Sequence, residues 1–288
     1  MVLDQNITKK IIDLVKLKPR TVQEISEHIK KNWRTAERYV EKIEEETGQV
    51  STRIFRKGTR GALKVVYWNS IENIHSTSFQ GELLEDLTHG KRTADFSPFD
   101  IYQYINDKEK TAFVEDVSKI DPEIEISEEQ DLVGLLKKAS KQILIFSGNL
   151  SWVNAKQGKT KITDVIKELI ERNVSIKVIG RVSMIGADNA KKLLALNKVA
   201  GKDLIEIRHR YQPLRVMIID DKIVRLRDIK EPEYYKPGEL KKKIAIFYEI
   251  YEKEWIEWIE KVFWKMFSTG IPAEKRLKEI ELIKTKLI

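Results

Sequence analysis

The most informative stretch of this 288-residue chain is Pro213-Leu214-Arg215-Val216-Met217-Ile218-Ile219-Asp220. It places four consecutive apolar residues between an arginine and an Asp-Asp pair. A short apolar run bounded by turn residues is typical of a buried β-strand. We therefore expect a strand over 215–219 that ends in a turn at Asp220 and Asp221.

Similar apolar runs flank this strand and alternate with helical periodicities. Further strands are expected at 143–146, 175–179, 204–207 and 223–226. Amphipathic helices are expected at 132–139, 163–172 and 190–196, and a long helix carrying Trp255 and Trp258 at 249–267. Strands that alternate with helices predict a sheet covered by helices, so residues 131–288 are assigned to an α/β domain.

The same stretch has the frame of the motif His-x-Lys-x4-Asp, and the segment 141–227 resembles one half of a phospholipase D superfamily enzyme. The resemblance implies a histidine that forms a phosphoenzyme and a lysine that holds phosphate. Pro213 stands in place of that histidine and Arg215 in place of that lysine, so only Asp220 matches. Proline has no nucleophilic atom, so we expect a catalytically degenerate domain with no catalytic residue, cofactor or metal. His209, four positions upstream, is expected to be structural.

Two enzymatic alternatives stay open from the sequence. One is a nuclease or phosphodiesterase of the phospholipase D superfamily. The other is a nucleotide hydrolase, because Gly158-Lys159-Thr160 precedes a helix and Val216–Asp221 resembles a magnesium-binding strand. A phosphate-binding loop needs a glycine separated by four residues from the Gly-Lys pair, and that position is Val153. Nucleotide hydrolysis is therefore the weaker of the two alternatives.

Residues 1–70 predict three helices followed by a β-hairpin. Thr21 and Glu24 form a capping-box pattern at the start of the second helix. Asn32 is placed to cap a third helix, which we expect to end at Gly48. Two β-rich runs follow on either side of a cationic tip that contains two glycines, at 49–55 and 62–68. This order of elements is that of an α+β winged helix-turn-helix domain.

The sequence from Ile25 to Val40 resembles the helix-turn-helix core of many prokaryotic regulators. In that family the third helix enters the major groove of DNA and the wing contacts the backbone. The resemblance implies contacts to bases or nearby phosphates from the third helix, through Arg34, Thr35, Arg38 and Lys42. It implies phosphate contacts from the hairpin, through Arg53, Arg56, Lys57 and Arg60. Winged helices also serve as protein-interaction modules, and this alternative stays open.

Charge is distributed unevenly along the chain. Residues 1–70 carry 15 Lys and Arg against 9 Asp and Glu, residues 71–130 carry 5 against 15, and residues 131–288 carry 33 against 21. The net positive charge of residues 1–70 and 131–288 favours a nucleic-acid partner. The acidic stretch 71–130 is expected to be a connector whose aromatic segment packs on a neighbouring domain.

Composition narrows the classes of protein further. The absence of cysteine excludes disulfides and thiolate metal sites. No apolar run approaches the length of a membrane-spanning helix. We expect a soluble, cytoplasmic protein.

A winged helix-turn-helix followed by a catalytically inactive phospholipase D-like domain resembles the TrmB-type archaeal transcriptional regulators, over roughly 7–68 and 131–267. In that family the second domain senses a small molecule and governs DNA binding. The resemblance implies a transcription regulator that binds double-stranded DNA, that allows a small-molecule effector and that has no membrane partner. Phospholipase D-like folds act as paired halves and only one half is visible, so we expect a homodimer. A chromatin-like DNA-binding protein is the remaining alternative.

Overall fold

The computed structural model describes residues 4–17, 20–56, 62–68, 78–117, 125–234 and 240–286. The chain separates into two compact units, Met1–Ile74 and His75–Ile288. Both units combine helices with β-sheet. In the part of the chain that is described, no helix combines the length and the apolar composition needed to cross a membrane.

The first unit contains three helices and a small antiparallel sheet among its described residues. The elements are, in chain order, α1 (Gln5–Leu17), β1 (Arg20–Thr21), α2 (Val22–His28), α3 (Trp33–Thr47), β2 (Val50–Arg56) and β3 (Ala62–Trp68). Strand β3 lies between β1 and β2 in the sheet. The helices and the sheet share one core, which includes Ile11, Val15, Ile25, Val40, Ile43 and Val66. The predicted succession of three helices and two long strands is therefore present.

Local capping chemistry explains where the helices of this unit begin and end. The Glu24 amide donates to Thr21 Oγ1 at 3.1 Å, and the Thr21 amide donates to Glu24 Oε2 at 2.7 Å. At the start of α3, the Thr35 amide donates to Asn32 Oδ1 at 2.8 Å. Helix α3 ends at Gly48, whose φ of 62° is a conformation that glycine adopts without strain. The capping predictions are confirmed.

The second unit is built around a large mixed sheet. Its first elements are α4 (Ser78–His89), α5 (Phe99–Tyr102), β4 (Lys110–Asp116), β5 (Glu125–Ile126), α6 (Leu132–Lys137), β6 (Gln142–Phe146), β7 (Lys156–Gln157), β8 (Thr160–Lys161) and α7 (Ile162–Glu171). They are followed by β9 (Ser175–Gly180), α8 (Ala187–Ala200), β10 (Ile205–His209), β11 (Val216–Ile219), β12 (Ile223–Lys230), β13 (Ile244–Ile250), α9 (Lys253–Ser268), β14 (Ile271–Pro272) and α10 (Ala273–Lys286).

The strand order of the large sheet is β14-β10-β9-β6-β11-β12-β13-β4. Strands β6, β9 and β10 run parallel to one another, and the other neighbouring strands pair antiparallel. A separate small sheet contains β5, β7 and β8. The sequence-predicted strand 215–219 is β11, and it lies near the middle of the large sheet.

Helices cover both faces of the large sheet at its parallel strands. Ile143 and Ile145 of β6 lie in one core cluster with side chains of α6, α7, α8 and α10. Phe146 points to the opposite face, where its ring packs edge-on against Phe263 of α9 at a centroid distance of 5.2 Å. Burial on both faces explains the continuous apolar runs from which these strands were predicted.

The predicted helix 249–267 is wrong at its start. Strand β13 extends to Ile250, and α9 begins only at Lys253. Strand β13 pairs with β12 on one side and with β4 on the other, so its backbone donors and acceptors are used by the sheet. Apolar residues occur on both sides of this boundary. The change from the period of a strand to the period of a helix is therefore not visible in the sequence.

The described residues 78–117 lie in the second unit, although the sequence suggests a connector there. Strand β4 is the edge strand, with Phe113 opposite Phe247 at a ring centroid distance of 4.9 Å. In the aromatic segment, the ring of Tyr102 packs against Tyr248 at 4.7 Å. Strand β4 has only three consecutive apolar residues, at 112–114, between polar ends, and these polar ends made the segment look like an acidic linker. Residues 71–77 and 118–124 of the expected connector lie outside the described residues.

Candidate functional site

Helix α3 presents a row of cationic side chains. Arg34, Arg38 and Lys42 are spaced four residues apart, so they lie along one side of the helix, and we call them the basic stripe. Arg34 and Arg38 are exposed, and neither forms an ion pair with another described residue. Lys42 Nζ lies 3.2 Å from Glu46 Oε1. Two of the three cations are therefore available to a partner in solution.

Three of the glutamates of α3 are held by the hairpin strands. Lys64 Nζ of β3 donates to Glu41 Oε1 at 2.8 Å and to Glu37 Oε1 at 3.2 Å. Glu44 accepts hydrogen bonds from the amide and the hydroxyl of Thr52, at 2.9 and 3.0 Å. Burial raises the pKa of Glu44, and the two hydrogen bonds from Thr52 oppose that rise. These contacts offset the negative charge beside the basic stripe.

The other predicted DNA-contact residues are only partly described. Thr35 is half-buried, and its amide is used by the Asn32 cap. Arg53 and Arg56 lie in β2, but their side chains are outside the described part of the molecule, as are residues Lys57 and Arg60. The DNA contacts assigned to all of them stay predictions.

In the second unit, the residues of the degenerate phosphodiesterase motif lie at opposite ends of β11. Pro213 and Arg215 precede the strand, and Asp220 follows it. The four residues of β11 lie between Arg215 and Asp220 and, at about 3.3 Å per residue, span about 10 Å. The motif therefore supplies two separate local structures instead of one cluster.

Asp220 ties the turn after β11 to the start of β6. Its carboxylate accepts hydrogen bonds from the Ser140 hydroxyl at 2.8 Å, the Ser140 amide at 3.0 Å, and the Lys141 and Gln142 amides at 2.9 Å each. Burial raises the pKa of Asp220, but the hydrogen bonds from Gln142, Ser140 and Lys141 lower it by more, so the pKa lies below its ordinary value. The carboxylate is 2% exposed and fully engaged, so it acts as a structural anchor.

The loop before β11 is held by buried polar contacts. Gln212 Nε2 donates to the Ser147 carbonyl at 2.8 Å, and the Leu214 amide donates to Gln212 Oε1 at 2.6 Å. Pro213 lies so close to Gly90 at the end of α4 that a Cβ on Gly90 would be 2.9 Å from Pro213 Cγ. Pro213 is thus a packing residue in a fixed loop.

His209, which the sequence analysis treats as structural, lies at the end of β10. Its Nδ1 accepts a hydrogen bond from the Val182 amide at 3.0 Å. Burial lowers the pKa of His209, and the nearby Arg276 lowers it further. The imidazole is therefore held neutral and already has a backbone partner.

A cavity of about 100 Å³ opens beside Arg215, on the sheet face that carries Met217 and Arg227. Its other walls include Ser147, Trp152 and Phe247. We call it the arginine cavity. Cationic and apolar side chains meet there around an open space.

Arg215 is held over the loop that follows β6. Its Nη1 donates to the Leu214 carbonyl at 2.6 Å, and a Cβ on Gly148 would lie 2.8 Å from its Nη2. Burial lowers the pKa of Arg215 to about 10, with further contributions from Arg181 and Arg227. At neutral pH the guanidinium is still charged.

Arg225 and Arg227 lie two residues apart on β12, so both point to the same face of the sheet. Arg225 is paired: its Nε donates to Glu249 Oε1 at 2.8 Å, and its Nη1 donates to the Gln130 carbonyl at 2.5 Å. The Nε and Nη2 atoms of Arg227 are buried and have no hydrogen-bond partner among the described residues. Burial lowers the pKa of Arg227, and Glu115 opposes that shift.

The sequence analysis missed Arg225 and Arg227. The run Val224-Arg225-Leu226-Arg227 alternates apolar and cationic residues with a period of two, which was a usable signal for a strand with a charged face. The predicted strand stopped at Leu226 and therefore left out the second arginine. Trp152, which also lines the cavity, comes from a different part of the chain and had no local signal.

The Gly158-Lys159 pair forms a tight turn and not a phosphate-binding loop. Gln157 pairs with Thr160 across it, and Gly158 has a φ of 56°. No cluster of three or more His, Asp or Glu side chains suited to a metal ion occurs among the residues that are described.

No protein-family model and no curated protein matches this chain. Among solved structures, Nuc from Salmonella typhimurium, a phospholipase D family member, is 12% identical, with a TM-score of 0.38 over 57% of this chain and 98% of that chain. NucT from Helicobacter pylori is 16% identical, with the same TM-score and coverage. TrmBL2, an archaeal chromatin protein with a novel mode of DNA binding, is 14% identical, with a TM-score of 0.33 over 91% of each chain. At these identities and TM-scores, the function of this chain is inferred from its own residues.

Proposed function

We propose that this protein is a DNA-binding transcriptional regulator. The observation that carries the proposal is the basic stripe of α3, in which Arg34 and Arg38 stay exposed while the acidic residues beside them are held by the hairpin strands. The first unit acts as a winged helix-turn-helix, in which residues 29–32 join α2 to α3 and α3 enters the major groove.

The contacts with DNA divide into two kinds under this proposal. Arg34, Arg38 and Thr35 contact base edges or the nearest phosphates, because they lie in the first turns of α3. Lys42 lies further along the helix and contacts the backbone. Arg53, Arg56, Lys57 and Arg60 contact phosphates, which fixes the register of the protein on the duplex without reading sequence.

The second unit serves as a phospholipase D-like module without catalysis. Pro213 offers no nucleophile, and Asp220 is engaged by Ser140, Lys141 and Gln142. Two copies of the unit pair and hold two winged helices on half-sites about one helical turn apart, or a multiple of that spacing. An effector that prefers one dimer geometry then changes DNA affinity through linkage.

Selection of bound sequences from a random duplex library tests this proposal. A site-specific regulator should enrich one motif, arranged as two half-sites with a fixed spacing. Binding of all duplexes without enrichment would contradict site-specific regulation and favour a chromatin-like protein.

Hydrolysis assays with duplex DNA and bis-p-nitrophenyl phosphate test the absence of phosphodiesterase activity. We expect no turnover above the uncatalysed rate, with or without added divalent cations. Turnover that disappears in a folded Arg215→Met variant would contradict the proposal and identify an enzyme.

A further inference from the structure

Strand β4 is the last strand at one side of the large sheet, and no other described strand pairs with its outer edge. The Val117 amide donates to the Lys243 carbonyl at 3.1 Å, and the Tyr251 amide donates to the Glu109 carbonyl at 2.8 Å. Hydrogen-bonded pairs alternate with non-hydrogen-bonded pairs in an antiparallel ladder, so the odd-numbered residues of β4 direct their backbone groups towards β13. The backbone groups of the even-numbered residues therefore point outwards.

The centre of this outer edge is open to another strand. Ala112 and Val114 carry the outward amides and carbonyls there, and neither residue has a hydrogen-bond partner for them among the described residues. Both residues are exposed, Val114 to 57%. Edge strands commonly avoid pairing through a lysine, a proline or a bulge. Strand β4 has an unbroken register against β13 and an apolar centre, so it has none of these devices at that point.

Apolar side chains lie next to the edge, on the face of the sheet that carries the even-numbered residues of β4. Val114 is opposite Ile246 of β13. Ala112 is opposite Tyr248, and the ring of Tyr248 lies 6.3 Å from the ring of Phe99. Phe99 is itself 49% exposed. A strand that pairs with β4 therefore also covers exposed apolar surface, which favours association.

The sequence of β4, Lys110-Thr-Ala-Phe-Val-Glu-Asp116, is complementary to itself in an antiparallel pair. With Phe113 opposite Phe113 of a second copy, Lys110 is opposite Asp116 and Thr111 is opposite Glu115, so unlike charges meet at both ends. The central alanine and valine are then opposite each other and form the hydrogen-bonded pairs that their outward backbone groups require. A parallel pair in register would instead place like charges side by side.

The charges at the two ends set the orientation of this pairing more than its strength. Lys110 Nζ lies 2.9 Å from Asp107 Oδ1, and Asp116 Oδ2 lies 2.8 Å from Lys242 Nζ, so each charge already has a partner in its own chain. Exposed ion pairs contribute little to affinity but discriminate against the wrong arrangement. The backbone hydrogen bonds and the apolar contact supply the binding energy.

We propose that the outer edge of β4 pairs antiparallel with the same edge of a second copy of this chain, with a two-fold axis at Phe113. Such a contact uses the same surface on both copies, so it closes as a dimer. It is smaller than a standard protein interface, and we expect a dissociation constant in the micromolar range. The pairing stands on the second unit alone. Its role, to hold two first units on two half-sites of DNA, rests on the proposed function.

Sedimentation velocity of the full chain without DNA tests the pairing. The wild type should change from monomer to dimer between about 1 and 100 μM. Val114→Lys places a cation at an exposed position of the edge, so the variant should fold and its dissociation constant should rise at least tenfold. Val199→Lys makes the same change at a valine of α8 that is 73% exposed, and it should dimerise as the wild type does.

Cross-linking through a single cysteine tests the register, since the chain has no cysteine of its own. Phe113→Cys places two thiols opposite each other in a non-hydrogen-bonded pair, where Cα atoms are about 4.5 Å apart, within the range that a disulfide spans. Mild oxidation should give a covalent dimer. Thr111→Cys is the control: its two copies are displaced by four residues, about 13 Å along the strands, and should not cross-link. Circular dichroism checks that Phe113→Cys, which loses the ring contact with Phe247, is folded.

The outcomes separate the interface from its role. A wild type that stays monomeric at 100 μM, unchanged dimerisation of Val114→Lys, or equal cross-linking at positions 111 and 113 would each overturn the β4 interface. Loss of the dimer in Val114→Lys together with weaker binding to a duplex with two half-sites supports both the interface and its role. Loss of the dimer with unchanged DNA affinity supports the interface and contradicts the role. A β4 dimer that binds no DNA supports the interface and contradicts the proposed function.

Discussion

Arginines are used in opposite ways in the two units of this protein. On α3, Arg34 and Arg38 stay in contact with water, and the helix is kept basic on that side because Lys64 holds the neighbouring glutamates. In the arginine cavity, Arg215 and Arg227 are half-buried, and two donors of Arg227 have no partner in the described structure.

The difference indicates which kind of anion each region can meet. An exposed guanidinium keeps its hydration and can approach a large polyanion such as the DNA backbone, where affinity comes from many phosphates and depends on salt. A half-buried guanidinium has lost part of its hydration, so an anion that reaches it gains a stronger charge-assisted contact. Only a small ligand fits there, so the two regions are suited to a macromolecule and to a small molecule respectively.

The largest effect is expected from Asp220, the anchor of the second unit. Asp220→Ala leaves the Ser140, Lys141 and Gln142 donors unsatisfied, so it should lower the free energy of unfolding by about 3–5 kcal/mol in urea denaturation. Asp221→Ala, at the exposed neighbouring position, should change it by less than about 0.5 kcal/mol.

The pH dependence of this anchor has a defined sign. The pKa of Asp220 is lower in the folded state than in the unfolded chain, so its contribution to stability is present above the unfolded pKa of about 3.9. That contribution is lost as the pH falls through the folded pKa. An Asp220→Ala variant as stable as the wild type at neutral pH, with the same acid unfolding, would contradict the anchoring role.

The next largest effect is expected from the exposed arginines of α3. Arg34→Ala or Arg38→Ala should weaken specific DNA binding by about 1–3 kcal/mol where the side chain contacts a base, with relaxed sequence preference at that position. Lys10→Ala, which removes an exposed cation from α1, is the control for charge alone. A uniform loss across all sequences would indicate a phosphate contact instead of base readout.

The same substitution in both regions should change stability differently. Arg227→Met removes a buried charge with unsatisfied donors, so the free energy of unfolding should rise by about 1 kcal/mol. Arg38→Met removes an exposed charge and should change it by less than about 0.5 kcal/mol. Equal changes in the free energy of unfolding, measured by chemical denaturation, would show that Arg227 and Arg38 do not differ in this respect.

The smallest effect is expected from the contact that keeps α3 basic. Lys64→Met leaves Glu37 and Glu41 without their cation. It should therefore lower the free energy of unfolding of the first unit by about 0.5 kcal/mol and weaken DNA binding by about the same amount. The two losses should shrink as salt is added, because part of the interaction is screened. A loss of DNA affinity that is independent of salt would contradict this electrostatic account.

Local chemistry made much of the first unit predictable. The cap at Thr21, the cap at Asn32 and the left-handed end at Gly48 each depend on residues within four positions of each other. Strand β11 was predictable for a similar reason, since its apolar run is bounded by turn residues and buried on both sides.

The arginine cavity could not be predicted because its walls come from distant parts of the sequence. Trp152, Arg215 and Phe247 meet only after the large sheet has formed. Strands β4 and β13 were missed for other reasons. Strand β4 has only a short apolar centre between polar ends, and the apolar residues of β13 continue into those of α9 without a visible boundary. Strand β13 pairs with β12 and places Phe247 opposite Arg227, so the partial burial of Arg227 could not be predicted while β13 was missed.

Fluorescence anisotropy tests the central claim, that the exposed basic stripe reads DNA, most directly. The purified protein is titrated against its own upstream DNA and against a scrambled duplex over a series of salt concentrations. The account predicts a steep fall in affinity with salt and a preference of about 10³ or more for the upstream duplex, which Arg34→Ala and Arg38→Ala should each reduce. Absence of binding to either duplex at low salt would contradict it and make the first unit a protein-interaction module.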